Sequence, residues 1–175
     1  MSLSTNLLDA LSPESKIFVA FSGGLDSTAL LFLCKEAFKQ KKISNLKAIH
    51  VNHNLSNNSD NWQQHCESFC RSNNIEFESF TVEVSKNRSS IESQARQARY
   101  KIFESLLDEN DQILLAHHRN DIFETILLRL FRGTGVDGLS GLNEKRSLGK
   151  GEIIRPFLKI YKNDDKVSSF LENII

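Results

Sequence analysis

Cysteine is scarce in this 175-residue chain: there are three, an odd number, and no CxxC pair among them. Three thiols do not make a disulfide framework, and they offer too few ligands for a zinc or iron–sulfur site. Cys66 and Cys70 stand four apart beside Trp62 and Phe69, a spacing that puts all four on one helical face and predicts buried, reduced thiols. Proline is scarcer still, with Pro13 and Pro156 alone, both expected at the edges of elements. An excess of one charge is also missing: 22 Lys and Arg balance 22 Asp and Glu. No global basic field therefore announces a nucleic-acid partner, and any RNA contact has to come from a local patch. Long apolar runs are lacking too. The longest, Ala29 to Cys34, is far too short to cross a bilayer, and the polar stretch from Met1 to Ser12 does not read as a signal peptide. No membrane association and a cytoplasmic location are expected. With 39% hydrophobic and 25% charged residues, the composition is that of an ordinary globular protein with room for one core.

What the sequence does contain is an alternation of strand-like and helix-like segments. Lys16 to Phe21 is a compact apolar run that reads as a buried strand and ends at Ser22-Gly23-Gly24. Asp26 to Gln40 follows as a helix, Leu46 to Val51 as a second strand and Ser59 to Asn73 as a second helix, in which His65 reads as structural. A third strand is expected over Ile75 to Val84. Ser89 and Glu92 then form a capping box that opens a helix whose buried face is Ile91, Ala95, Ala98, Ile102 and Leu106. Gln112 to Ala116 is the expected fourth strand, Asp121 to Phe131 a helix, and Glu152 to Pro156 a short fifth strand. Units of about 30 residues predict an α/β fold, a doubly wound parallel sheet of about five strands with helices on both faces. Ligands of such sheets bind beyond the carboxyl ends of the strands, which directs attention to Ser22 onward, His50 to His53 and His117 onward.

The strongest local signal is Ser22-Gly23-Gly24-Leu25-Asp26-Ser27, set between the first strand and the first helix. A helix N-terminus offers unpaired N–H groups and a partial positive charge. Two glycines let an anion approach the backbone, and Ser22 and Ser27 add hydroxyl groups. The segment is neither GxxxxGK[ST] nor GxGxxG, and in place of a charge-neutralising lysine it carries Asp26. A carboxylate beside a triphosphate is repulsive unless a cation lies between them, so Asp26 implies Mg²⁺.

The pattern S-G-G-x-D-S resembles the PP-loop of enzymes that split ATP between its α and β phosphates. Further segments resemble the tRNA(Ile)-lysidine synthetase family. These are Ala48-Ile-His-Val-Asn-His-Asn-Leu55, the E-x-x-A-R-x-x-R-Y helix at Glu92 to Tyr100, and Ala116-His-His-Arg-Asn-Asp-Ile-Phe-Glu-Thr125 running on to Leu139. Ile154-Arg155-Pro156-Phe157-Leu158 is similar to the family's R-P-L element. Asn120 stands where the family has Asp and Ile122 where it has Gln, whereas Asp121, Glu124 and Thr125 match. The likeness covers about residues 15 to 160. The resemblance implies a catalytic domain at 1–160, and 161–175 as the start of a truncated C-terminal extension or linker.

What the family does supplies the expected chemistry. ATP adenylates the C2 oxygen of the first-anticodon-position cytidine of tRNA(Ile) with a CAU anticodon, and free L-lysine displaces AMP. The resemblance implies a phosphate cradle at Ser22, Gly23, Gly24, Leu25, Asp26 and Ser27, with His50 and His53 at the adenine or ribose edge and Asp26 on the metal. Arg96 and Arg99, read as lying off the apolar stripe of their helix, would stabilise charge at the base or the phosphates. His117 and His118 are expected on opposite faces of the sheet, and His118 is favoured as an acid/base or orienting group. Asp121 and Glu124 would recognise the lysine ammonium or share in the metal. Between Arg129 and Arg155 six basic residues face three acidic ones, a local excess suited to tRNA, with Arg129, Arg132 and Gly133 foremost. A homodimer is left open. The rival readings are another PP-loop tRNA-modifying enzyme, such as a thiolase, and a non-catalytic nucleotide-binding module or inactive remnant. Against the first stands the lack of cysteine ligands, and against the second the retained Asp26.

Overall fold

A computed structural model describes residues 7–8, 10–12, 14–56, 58–83, 91–118 and 143–158. Its described elements are β1 (Ile17–Ala20), α1 (Leu25–Lys39), β2 (Leu46–Asn52), α2 (Ser59–Ser72), β3 (Glu76–Thr81), α3 (Ile91–Leu106), β4 (Gln112–Leu114), β5 (Lys145–Leu148) and β6 (Gly151–Ile154). They form one six-stranded sheet in the order β3-β2-β1-β4-β6-β5. All neighbours are parallel except β5, which runs antiparallel to β6.

The alternation of side chains along the strands builds two cores, one on each face. Ile17, Val19 and Phe21 of the first strand and its exit point to one face, with Ala48, Leu114 and Ile154, and pack under α1 and α2 through Leu30, Cys34, Cys66 and Cys70. Phe18, Ile49, Ile113 and Ile153 point to the other face, where Phe103 and Leu107 from α3 and the residue beyond it cover them. Strands buried on both faces read as continuous apolar runs, which is why β1 and β2 are easy to find. The direction of winding reverses between β1 and β4, which makes that boundary the topological switch point.

The sheet has one strand more than the sequence suggests. β5 consists of Lys145-Arg146-Ser147-Leu148, and its first three residues are exposed. A polar strand at the sheet edge carries no periodic apolar signal, so its pairing with β6 is invisible in the sequence. The third strand is shorter than expected and stops at Thr81. The apolar face of α3 is also rotated from the expected stripe. Ala95 and Phe103 are its buried residues, whereas Ile91, Ala98, Ile102 and Leu106 are half-buried. The helix expected over Asp121 to Phe131 lies outside the described residues. No helix among the described residues is long and apolar enough to cross a membrane.

Candidate active site

The loop after β1 turns at Gly23, whose φ of +79° is left-handed and suits glycine. A Cβ there would lie 2.8 Å from Cys66 Sγ and 3.2 Å from the Trp62 ring, so the turn also packs too tightly on α2 to admit a side chain. Gly24 is the N-cap of α1 and supplies no side-chain cap, which leaves the first-turn N–H groups without side-chain acceptors. Such a helix start favours an anion.

The serines of the loop brace it internally. Ser27 Oγ donates to Gly24 O at 2.9 Å, so the proton between Ser22 Oγ and Ser27 Oγ, 3.1 Å apart, comes from Ser22. Ser22 N donates to Ser27 Oγ at 3.3 Å. Ser27 is buried, and its hydroxyl proton is engaged by the loop. Ser22 is exposed, and Leu25 is 60% exposed at the helix start. Trp62 Nε1 donates to Ser22 O, tying α2 to the loop.

Asp26 sits in the first turn of α1 with its side chain 28% exposed. Behind it lies His118, fully buried, with Nε2 3.4 Å from Asp26 Oδ1 and its ring against Phe157. This pair joins the exits of β1 and β4 at the switch point, where a doubly wound sheet binds its ligand. A buried ring behind a half-exposed carboxylate is placed to orient Asp26. Among the described residues its full burial against Asp26 suits the orienting role. His117 turns to the other face of the sheet, as expected, where its Nδ1 accepts from Arg155 Nε at 3.2 Å.

Beside the loop a cavity of about 340 Å³ opens between the ends of β1 and β2. Its wall includes Phe21, Ser22, His50, His53, Trp62 and Arg99. His50 is buried, and since a carbonyl can only accept, its Nδ1 carries the proton donated to Phe21 O at 2.9 Å. That bond makes it a brace for the end of β1 as well as a wall residue. His53 Nδ1 and Arg99 Nε are buried with no hydrogen-bond partner among the described residues. Two orphaned polar groups facing one cavity fit a polar ligand such as a nucleotide. Burial lowers the pKa of Arg99, and burial followed by the nearby Arg99 charge lowers that of His53.

The two arginines of α3 separate here. Arg99 enters the cavity beside Phe103, while Arg96 is exposed and lies over Tyr100. The expectation of one shared face is corrected by helix geometry: Arg99 and Phe103 are four apart and fall on the same buried side. Asp121, Glu124, Arg129, Arg132 and Gly133 lie outside the described residues. Sequence reasoning missed Trp62 as a loop contact and Arg155 as a buried cation, 1% exposed, with Nη1 donating to Asn143 O at 2.7 Å. Their signals were in plain view as the one tryptophan in the chain and the arginine before Pro156.

A pH dependence follows from the buried histidines. Burial lowers the pKa of His50 and of His53 below the ordinary 6.5. The unfolded chain therefore takes up these protons near 6.5, and the folded chain takes them up at lower pH. The stability that the neutral rings represent is complete above 6.5 and is lost as pH falls through that value. The melting temperature is expected to drop between about pH 7.5 and about pH 5.5, and His50→Gln to flatten that drop in a thermal-shift series.

The three cysteines are buried, and burial raises the Cys66 thiol to about 11 and the Cys70 thiol to about 12. They are packing groups rather than thiolate ligands. Among the described residues no three His, Cys, Asp or Glu side chains are gathered to hold a metal by themselves. Asp26 with its flanking hydroxyl groups is a hard, oxygen-only set, which fits Mg²⁺ shared with phosphate oxygens.

Comparison with known proteins agrees with this geometry. Residues 2–172 match the family model described as a PP-loop domain. The chain is 46% identical over 156 residues to a tRNA(Ile)-lysidine synthase of Legionella pneumophila (strain Lens), covering 89% of this chain and 36% of that protein. The corresponding protein of Pseudomonas syringae pv. tomato is 45% identical over 161 residues, covering 90% and 36%. That of Coxiella burnetii is 43% identical over 164 residues, covering 91% and 35%. The chain thus spans about a third of the length of these curated relatives. A solved U34-tRNA thiolase of Methanococcus maripaludis, which carries a [4Fe-4S] cluster, superimposes with a TM-score of 0.72. That match covers 98% of this chain and 63% of the thiolase at 22% identity, a likeness of fold.

Proposed function

The chain belongs to the PP-loop family, and from that premise we propose that it binds ATP with Mg²⁺ and serves as the catalytic domain of a tRNA(Ile)-lysidine synthase. The substrate is the cytidine at the first anticodon position of tRNA(Ile) with a CAU anticodon, and the second substrate is free L-lysine. The cytidine C2 oxygen attacks the α-phosphorus of ATP and pyrophosphate leaves. The ε-amine of lysine then loses a proton and attacks C2, and AMP leaves.

The observation that carries this reading is the uncapped, Gly-Gly helix start at the switch point with Asp26 backed by His118. Backbone N–H groups of Leu25 to Ser27, reached past Gly23 and Gly24, receive the phosphates. Ser22 adds its exposed edge, and Ser27 holds the loop in shape. Asp26 holds the metal, which when bound would neutralise charge on the phosphates and the leaving pyrophosphate. Adenine and ribose occupy the cavity of His50 and His53, and Arg99 presents a poorly solvated cation to charge developing there. Arg96 serves the RNA side, Asp121 and Glu124 the lysine, and Arg129, Arg132 and Gly133 the tRNA backbone. The identity of about 45% with lysidine synthases of three bacteria supports this substrate over that of a thiolase.

The test is incorporation of labelled lysine into tRNA(Ile) transcripts with CAU or GAU anticodons in the presence of ATP and Mg²⁺. Incorporation into the CAU transcript alone is expected. Lysine entering neither transcript while AMP accumulates would sink the choice of substrate.

A further inference from the structure

Tyr100 on α3 is surrounded by arginines. Arg96 Nη2 donates to its hydroxyl oxygen at 3.2 Å, and Arg155 Nη2 reaches the same oxygen at 3.5 Å. The Arg96 and Arg146 guanidinium carbons lie 5.0 and 5.5 Å from the ring centroid. These side chains come from α3, from β5 and from the exit of β6, so the cluster is built by the fold and not by a run of sequence. Among the described residues no carboxylate forms an ion pair with Arg96, Arg146 or Arg155. Glu152, the acid on β6, is engaged by Lys145 at 2.6 Å.

Hydrogen-bond accounting points the same way. The Tyr100 oxygen accepts from two guanidinium groups, so its own proton must be donated elsewhere. Among the described residues Tyr100 has no acceptor for it. Cation–π contact holds Arg96 and Arg146 in place against the ring while their N–H groups stay exposed. Arg155 beneath them is buried, and burial together with the charges of Arg146 and Arg96 lowers its pKa. The result is a preorganised set of donors whose positive charge no ion pair offsets among the described residues, a receptor for a phosphate group.

We propose that Tyr100, Arg96, Arg146 and Arg155 form a second phosphate site, distinct from the Ser22–Ser27 loop and occupied by a backbone phosphate of the RNA substrate. The proposal rests on the reading of that substrate as an RNA. The cluster belongs to the α3 face of the sheet, which His117 and Arg155 share, whereas Asp26 and His118 meet across the switch point. None of the four residues lines the cavity beside the loop, where Arg99 stands instead. The exposed arginines suit a macromolecular polyanion that lies along the surface while one base reaches the loop. The site thus fixes the distance between a phosphodiester and the reacting base.

The experiment measures binding of the full chain to anticodon stem-loop RNAs bearing CAU or GAU, from about 50 to about 200 mM salt. Arg146→Gln and Tyr100→Phe are compared with the unaltered chain, with ATP and pyrophosphate binding followed in parallel. Arg146→Gln is expected to weaken both RNAs several-fold and to reduce the slope of log K against log salt by about 0.7 to 0.9, one phosphate contact. Tyr100→Phe, which keeps the ring and removes the donor, is expected to weaken both RNAs with little change in slope. ATP binding stays as it was. Equal losses on the two RNAs support the site even where the unaltered chain shows no preference for CAU, a result that would count against the lysidine reading alone. Unchanged RNA affinity and slope in both variants overturn the proposal. So does a loss confined to ATP or pyrophosphate, which would assign the cluster to the nucleotide.

Discussion

Asp26→Ala is expected to reduce ATP cleavage by at least about 10²-fold, the scale seen when one electrostatic element of an active site is removed. The direction of the accompanying change in ATP affinity separates two roles for the carboxylate. If Asp26 faced the triphosphate without a cation, each charge pair at about 4 Å would cost about 1 to 4 kcal/mol, depending on solvent access. Its removal would then tighten ATP binding about fivefold or more. If it binds Mg²⁺ shared with the phosphates, its removal weakens binding in magnesium and tightens it only in EDTA, where no cation lies between carboxylate and phosphate. The second pattern is expected, because the loop already offers the first-turn N–H groups of α1 to the anion. The cost in stability is small, about 0.3 to 1 kcal/mol for losing an acidic group at a helix N-terminus. An activity loss with a near-constant melting temperature therefore identifies a chemical role. Titration of ATP in magnesium and in EDTA, beside a thermal melt, reads all three quantities.

Gly23→Ala is expected to be damaging through the backbone. The left-handed φ of +79° costs a non-glycine residue about 1 to 3 kcal/mol. The added methyl also meets Cys66 Sγ at 2.8 Å, under a turn that Trp62 ties down from the same helix. Both strains fall on the segment proposed to cradle phosphate, so the turn yields before the core does. A loss of about tenfold or more in ATP affinity is expected, with a melting temperature lower by about 2 to 4 °C per kcal/mol. Cys66→Ala in the same chain relieves the contact but not the φ. The double variant is expected to recover part of the stability relative to the sum of the single changes, and little of the ATP affinity. Full recovery of ATP affinity would mean that the contact, and not the turn, governs the loop.

The parts of the molecule that were legible in the sequence share a physical trait: they are dictated locally. Strands β1 and β2 are buried on both faces and so are continuously apolar. The phosphate loop needs Gly-Gly next to a helix start, and that requirement is spelled out at Ser22 to Ser27. Adjacent residues on an extended segment diverge, so the opposed directions of His117 and His118 were foreseeable. What escaped is set by pairing at long range. The strand Lys145–Leu148 is polar and owes its place to β6. The role of Trp62 depends on a carbonyl forty residues earlier. Arg99 was expected with Arg96 on a face off the apolar stripe, with a charge-stabilising role, yet the packing of Phe103 one turn on carries it alone into the cavity. Arg155 read as one more surface charge in a basic stretch, and it is the most deeply placed cation described.

The claim on which the rest depends is that this loop directs the splitting of ATP between its α and β phosphates. ATP labelled at the α-phosphate, incubated with the chain, Mg²⁺, lysine and CAU-bearing tRNA(Ile), tests it in one separation of products. Labelled AMP, formed in step with pyrophosphate and dependent on the tRNA, is the predicted result. Labelled ADP, or ATP bound and left whole, would contradict it.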